Sequence, residues 1–423
     1  MAPSPLPLEL IYHIVDHLSN DRSSLKNCCL SASAFVYACQ KHLHHMLRLE
    51  AGKYASWDAV VEHFQQSPHL VKYVSRLDIE VDWPLDINQL SINPKFFLQF
   101  TNLETLLIMA DTDPSWHSVP DAITVALSTL LVERSVRPLR HLRMCNLDDI
   151  SPDLVILALN ATNYLTLWLC IGSELIPEAN PGKHTRAPVV RSPRKTVIVS
   201  YSGTLLQTLA WPQLRPYLSS IASFKVDGDE DLFDPLLALY VLLAPTIPEI
   251  HFPSVQDIFV EPEGAAALAL ALPSSWPALR TAYAYIKNRK ELEEEPSWML
   301  TQLLANVLVP HSTPNLIEIR IIFEVDMAGP QLEGPSFAPA TPIVWQLNAT
   351  TLAALDAACA SHPTLVALHW TISIRTYLRH HRYADSDHAL LEFAACCEAL
   401  ERALPKTKSS GRLRMEHHER PTD

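Results

Sequence analysis

The residues best suited to metal or proton chemistry lie near the start of the chain, in His13-Ile14-Val15-Asp16-His17. Two imidazoles four positions apart stand one above the other on a helix and can share a metal ion, and an acid beside the second can act as the base of a metal-assisted hydrolysis. That chemistry normally employs Glu; Asp16 is one methylene shorter, and no spacing marks a further ligand. The same residues are accounted for as the polar side of an amphipathic helix, so no metal is expected, and a metal-dependent hydrolase at His13 and His17 stands only as an alternative. His42, His44 and His45, with Lys41 and Arg48 nearby, read as an exposed basic face of one helix, and His380-His381 and His417-His418 as ordinary surface pairs. Cys28-Cys29 and Cys396-Cys397 are adjacent pairs, and Cys39, Cys145, Cys170 and Cys359 fall in apolar patterns without a two-residue metal-binding gap, so buried free thiols are expected. With 9 Gly against 33 Pro there is no Gly-x-Ser-x-Gly turn and no Gly-rich phosphate loop. The chain is therefore expected not to be an enzyme and to need no cofactor.

Composition narrows the classes further. A formal net charge of -13 speaks against nucleic acid as a partner, because phosphate neutralisation needs a concentrated basic surface. Hydrophobic residues make up 48% of the chain and charged ones 19%, enough for a sizeable core. The longest apolar runs, Leu236 to Ala244 and Ala265 to Leu272, fall well short of the about 20 residues that span a bilayer. The opening MAPSPLPLEL lacks a basic start, an apolar core and a small-residue cleavage site. These features predict a soluble protein of the cytoplasm, the nucleus or both, with no membrane partner.

The elements that position the first histidines are readable. Proline suits a first helical turn and Glu9 suits the positive end of the dipole, so Leu6-Pro7-Leu8-Glu9-Leu10 starts a helix. Leu10, Ile11, Ile14, Val15 and Leu18 make one side apolar, while Glu9, Tyr12, His13, Asp16 and His17 cover the other. After a break over Ser19 to Ser24, a second helix passes through Leu25, Cys28, Cys29 and Leu30. A third places Phe35, Val36, Cys39, Leu43 and Met46 on one face. Helices packed within about 45 residues bury little surface by themselves and commonly need a disulfide, a metal or a partner. No disulfide or metal spacing is present, which points to a partner.

In Leu6-Pro7-x-Glu9-Leu10 followed by Ile14, Leu18, Leu25, Cys29 and Phe35, the stretch resembles the F-box, with Phe35 where many F-boxes have Trp and Cys28-Cys29-Leu30-Ser31 in place of the commoner valine-cysteine-lysine pattern. The resemblance covers roughly the first tenth of the chain. It implies docking on the Skp adaptor of a cullin-RING ubiquitin ligase through Leu6, Pro7, Leu10, Ile14, Leu18, Leu25, Cys29 and Phe35. A helical cap over the end of a repeat array is the other reading of these residues.

Beyond a joining helix or two over Ala51 to Lys72, with Trp57, Val60, Val61 and Phe64 at helical spacing, one phrase recurs: an apolar residue, two free positions, a second apolar residue, one free position and a third. It reads Val74-x-x-Leu77-x-Ile79, Leu103-x-x-Leu106-x-Ile108, Leu139-x-x-Leu142-x-Met144, Tyr164-x-x-Leu167-x-Leu169, Ile221-x-x-Phe224-x-Val226, Ile247-x-x-Ile250-x-Phe252, Leu316-x-x-Ile319-x-Ile321 and Leu365-x-x-Leu368-x-Trp370. Weaker copies fall at Val197-x-Val199, Leu279-x-x-Ala282-x-Ala284 and Leu413-x-Met415. Turn residues precede several copies, as in Thr101-Asn102 and Pro314-Asn315. Amphipathic helices are expected between copies at Asp121 to Glu133, Pro152 to Asn160, Leu232 to Ala244, Trp298 to Val309, Thr351 to Ala360 and His388 to Leu404. The cycle resembles the leucine-rich repeat in irregular form, with Asn146 nearest to that repeat's asparagine; an ordinary α/β domain would look similar. Glu174 to Lys195 and Glu324 to Pro342 read as loops, Asp227 to Asp234 and Glu291 to Glu295 as solvated acidic edges, and Glu416 to Asp423 as a frayed tail.

The sequence thus predicts an α/β chain: an F-box-like all-helical module over residues 1–49, a helical linker over 50–73, and a leucine-rich-repeat-like solenoid with parallel strands over 74–423. The F-box resemblance implies a substrate receptor that holds a protein target, of unknown identity, for a ubiquitin ligase. The alternatives are a protein-binding scaffold of the same architecture outside any ligase, and the hydrolase weighed above.

Overall fold

A computed structural model describes residues 6–50, 54–81, 93, 95–111, 115–173, 195–227, 233–252, 272–288, 307–328, 349–377 and 386–417. The expected helix over Trp298 to Val309, the acidic cluster at Glu291 to Glu295 and nearly all of the loop after Glu174 lie mainly or wholly outside these residues. The chain divides into two compact units, Met1–Lys195 and Thr196–Asp423. Each is a mixed α/β unit in which sheet order follows chain order and the registered neighbours are parallel.

The first unit opens with three helices, α1 (Leu8–His17), α2 (Arg22–Ser31) and α3 (Ser33–Leu43), followed by β1 (Met46–Leu49), α4 (Tyr54–Gln66), β2 (Arg76–Glu80), β3 (Thr105–Met109), α5 (Asp121–Arg134), β4 (Leu139–Ile150), α6 (Pro152–Ala161) and β5 (Thr162–Gly172). In the second, β6 (Lys195–Ser200), which begins at the boundary, is followed by α7 (Gly203–Leu209), α8 (Arg215–Leu218), β7 (Ile221–Asp227), α9 (Phe233–Leu243), β8 (Glu249–His251), β9 (Thr281–Asn288) and β10 (Glu318–Ala328). The unit ends with α10 (Ala349–Ser361), β11 (Ala367–Tyr377), α11 (Ser386–Ala403), α12 (Pro405–Ser409) and β12 (Leu413–His417).

The recurring phrase proves to be a stacked ladder. In the first unit Leu47, Leu77, Leu106, Leu142 and Leu165 occupy one register position, and Leu49, Ile79, Ile108, Met144 and Leu167 the next inward one. In the second, Phe224, Ile250, Ala282, Ile319, Leu368 and Leu413 share a position, and Ala284, Ile321, Trp370 and Met415 another. Nearly all of these side chains are buried. A parallel strand pair has no hairpin to set its register, so identical apolar spacing in successive strands is what locks the stack.

The entry to each strand repeats as well. The two amides following the first phrase residue converge on the carbonyl one position after the same residue in the preceding copy: Glu104 and Thr105 on Ser75, Ile317 and Glu318 on Arg280, and Val366 and Ala367 on Ile317. The asparagine before the phrase adds a side-chain bond backwards, Asn102 Nδ2 to the Lys72 carbonyl at 2.7 Å and Asn315 Nδ2 to the Pro277 carbonyl at 2.7 Å. The turn residues read from sequence thus join consecutive copies.

Several expectations need correction. The sequence pattern puts Met46 on the third helix with Leu43, but α3 stops at Leu43 and Met46 begins β1, whose outward Met46 and Arg48 alternate with inward Leu47 and Leu49. For the same reason His44 and His45 do not lie on one helix with His42: His44 is the C-cap of α3 and His45 follows it. The fourth phrase is two residues out of register. Thr162, Leu165 and Leu167 face inward, whereas Leu169 adopts φ 51° and turns outward. β10 continues to Ala328, through the start of the loop expected from Glu324, and β12 takes in Glu416 and His417 from the expected tail. No helix among the described residues is long and apolar enough to cross a membrane.

Candidate docking surface

Pro7 is the N-cap of α1, and its carbonyl accepts from the Leu10 and Ile11 amides at 3.1 and 3.2 Å. Proline costs nothing there because a first-turn amide has no intrahelical partner. Asp21 caps α2, its Oδ1 accepting from the Ser23 and Ser24 amides at 2.9 and 3.1 Å while the Ser24 hydroxyl donates to Oδ2. The Ser24 hydroxyl bond, followed by the Ser24 amide, holds the Asp21 carboxyl below its ordinary range. These caps orient α1, α2 and α3 around a small core of Ile11, Val15, Leu25, Ala38 and Cys39, against which Leu18, Cys28, Cys29, Phe35 and Leu43 pack partly buried.

This core sorts the sequence-predicted residues. Leu6, Leu10 and Ile14 are 46, 48 and 41% exposed, and Pro7 is exposed beside them. Leu10 and Ile14, four positions apart, stand on one face of α1. Leu25, by contrast, is sealed in the core, and Leu18, Cys29 and Phe35 lean against it. Exposed apolar side chains that the prediction did not include are Leu8 at 62%, Leu30 at 85% and Tyr37 at 51%. Tyr37 stands edge-on to both Tyr12 and Tyr73, with ring centroids 6.4 and 5.5 Å away, and the Lys72 ammonium lies 5.7 Å from its ring centroid. The apolar residues facing water could have been found from sequence by helical phase: 11 and 15 define the buried stripe, which leaves 10 and 14 beside it.

The chemistry-bearing residues of the module lie nearby. His13 Nε2 and His17 Nε2 are 3.3 Å apart at the surface, and His42 Nε2 meets Asp16 Oδ1 at 2.8 Å. Burial, with Cys28 and Cys29 adjacent, pushes the Cys39 thiol up to about 12, which removes it as a nucleophile at neutral pH. All eight cysteines are free and five are buried, in line with the reading as packed thiols. Lys195 is buried and its amine donates to the Leu159 carbonyl; desolvation lowers it to about 8, but the amine has no open face for a substrate. Among the described residues, no group of three or more His, Cys, Asp or Glu side chains is arranged to hold a metal ion.

The outward faces of the strands carry the remaining polar organisation. In the second unit the register aligns Lys225, His251, Tyr283, Arg320, His369 and Arg414 in one row across six strands. His251 stacks face to face on Tyr283 at 3.9 Å, and the Arg320 guanidinium lies 5.6 Å from the same ring centroid. Acids flank the row: Glu249 pairs with His251 at 3.1 Å, Glu318 with Arg320 at 3.0 Å and Glu416 with His369 at 3.2 Å. The His251 hydrogen bond, aided by one from Ser223, holds the Glu249 carboxyl below its ordinary value against the opposing effect of burial. The basic and aromatic row is thus balanced by acids two positions back on the same strand at His251 and Arg320, and on the next strand at His369.

The chain matches no known family model and no curated protein.

Proposed function

We propose that the N-terminal helices form an F-box-like module that docks on a Skp adaptor, and through it on a cullin-RING ubiquitin ligase, while the strand array behind it holds the protein to be ubiquitinated. The single observation that carries this reading is the exposed run Leu6, Leu8, Leu10 and Ile14, left uncovered by a module whose core is already complete without it. Of these, Leu10 and Ile14 share one face of α1, and exposed apolar side chains grouped in this way support an interaction site. Leu25 contributes by filling the module core, and Leu18, Cys29 and Phe35 by packing partly buried against that core. The stacked phrases and their repeated entry bonds support the second half of the reading, a degenerate leucine-rich-repeat-like solenoid whose outward rows recognise a polypeptide. Such a receptor breaks no bond itself; it gains rate by raising the local concentration of target lysines near the charged ubiquitin carrier.

A second reading, a scaffold whose first module only caps the array, draws on β1, which follows α3 directly and pairs with β2. Capture of purified Skp adaptor by the full chain, and its loss in a Leu10→Asp, Ile14→Asp double variant, separates the two. A pure cap captures no adaptor in either form.

A further inference from the structure

His13 and His17 belong neither to the module core nor to the apolar pair Leu10 and Ile14. Their Nε2 atoms are 3.3 Å apart on consecutive turns of α1, both side chains are exposed, and neither ring packs into the buried cluster of Ile11, Val15, Leu25, Ala38 and Cys39. Two nitrogens bound at about 2.0–2.1 Å to one tetrahedral ion stand about 3.3–3.4 Å apart, so the observed separation is already that of one edge of such a site. The rings meet at 70° with centroids 4.6 Å apart and share a hydrogen bond between the two Nε2 atoms, one donating to the other, so both nitrogens already face a common point that a metal ion would occupy in place of the shared proton. Asp16, the nearest carboxylate in sequence, is engaged by His42 at 2.8 Å, which leaves the remaining coordination positions to water or to a ligand from outside.

We propose that His13 and His17 form a two-point site for a borderline divalent transition-metal ion of the zinc, copper(II) or nickel class. Imidazole is a preferred donor for these ions, whereas magnesium and calcium require oxygen ligands, so they are excluded from this pair. The site is a surface clamp and not a catalytic centre, because only two protein ligands hold the ion. Its position gives it a consequence: on α1, position 17 lies next to 10 and 14 in helical phase, so the ion stands at the border of the exposed Leu10 and Ile14 face. A charged, hydrated ion there opposes burial of that face by a partner. The metal site stands independently of the docking reading; only this competition rests on it.

The test uses the full chain without a histidine tag, zinc chloride as probe and a chromophoric chelator as competitor. Wild-type protein is expected to bind zinc at a site that a His13→Gln, His17→Gln double variant lacks, with either single variant weakened at least about tenfold because one of two linked donors is gone. A His44→Gln, His63→Gln variant, which removes another imidazole pair, stacked at 5.9 Å, is expected to retain the site. Equal zinc uptake by wild type and the His13, His17 double variant, with both folded by circular dichroism, overturns the proposal, as does absence of uptake. Adaptor capture with and without zinc then reads the competition. Zinc binding without adaptor capture in either condition refutes the docking reading and leaves the metal site standing; adaptor capture without zinc binding does the reverse.

Discussion

Replacing Leu10 and Ile14 together by Asp should abolish adaptor docking while leaving the chain folded. Leu6, Leu8, Leu10 and Ile14 retain 46, 62, 48 and 41% exposure, so roughly half of each side chain is still available to be covered. Full burial of such a side chain stabilises by about 1.5–3 kcal/mol, which leaves about 0.7–1.5 kcal/mol each for the partner and about 3–6 kcal/mol for the run. Removing the Leu10 and Ile14 shares costs about 1.5–3 kcal/mol, or about 10- to 150-fold in affinity. The carboxylates add the penalty of a charge pressed against an apolar surface, which takes a micromolar complex beyond ordinary detection. Because neither side chain belongs to the module core, stability should change by less than about 0.5 kcal/mol. The assay is titration of purified Skp adaptor with wild-type and variant chains, with thermal melts of both. A folded variant that binds the adaptor as tightly as wild type refutes the assignment of this face.

Other outcomes follow from the same structure. Asn146→Ala should destabilise the first unit by about 2 kcal/mol, since it removes the bond from Asn146 Nδ2 to the Ala110 carbonyl at 3.1 Å and leaves at φ 52° a residue that tolerates the left-handed region less well than asparagine; Asn146→Gly should recover the backbone share, and equal losses in the two variants by denaturant titration would show that strain contributes nothing. Asp356→Ala should cost about 2–3 kcal/mol, because the buried carboxylate accepts from the Lys406 and Thr407 amides and the Thr407 hydroxyl at 3.1, 2.7 and 2.8 Å; a hydrogen-exchange profile of α12 unchanged by the substitution would contradict this. Glu249 has a folded pKa below its ordinary value of 4.5, so its stabilisation is complete above that value and is lost as the pH falls through the depressed folded value; Glu249→Gln should flatten that acid limb in melts run as a pH series, and an unchanged limb would rule out its part in acid sensitivity.

How much of this was readable from sequence depends on which physical rule governed each element. The phrase Val74-x-x-Leu77-x-Ile79 and most of its copies were legible because burial on one face of a strand forces alternation, and the inward residues found are the ones read. The helices at 121, 152, 233, 349 and 386 start within two residues of their expected positions, the second being capped by Ser151, whose hydroxyl oxygen accepts from the Leu154 amide. The fourth phrase failed because Leu169 carries a left-handed backbone that no L-residue preference signals; it occupies the register position of Asn146, which does carry the signal. β1 was missed because four residues with two inward leucines continue a helical pattern as well as they begin a strand. On the candidate site, the amphipathic reading of α1 placed Leu10, Ile11, Ile14 and Val15 on one apolar side, but a core this small has room for one narrow stripe. Ile11 and Val15 fill it, and Leu10 and Ile14 are left facing water.

That division of α1 separates the two readings of the module. A cap turns its apolar face towards the array it closes and its polar face to solvent. β1 meets that description: its inward Leu49 is fully buried against Ile79, and its entry carbonyl, His45, accepts the Ser75 and Arg76 amides. α1 does the opposite. Its inner stripe is spent on α2 and α3, and Leu8, Leu10 and Ile14 remain in water although the rest of the helix offers polar positions at Glu9, His13, Asp16 and His17. An element needed only for closure gains nothing from those three side chains, since each exposed apolar group favours aggregation without adding to the fold. On the proposed reading the roles fall on different elements: β1 ends the strand stack, and α1 offers Leu10 and Ile14 to the adaptor. Exchanging Leu10 and Ile14 for polar residues should accordingly be neutral for folding and decisive for docking.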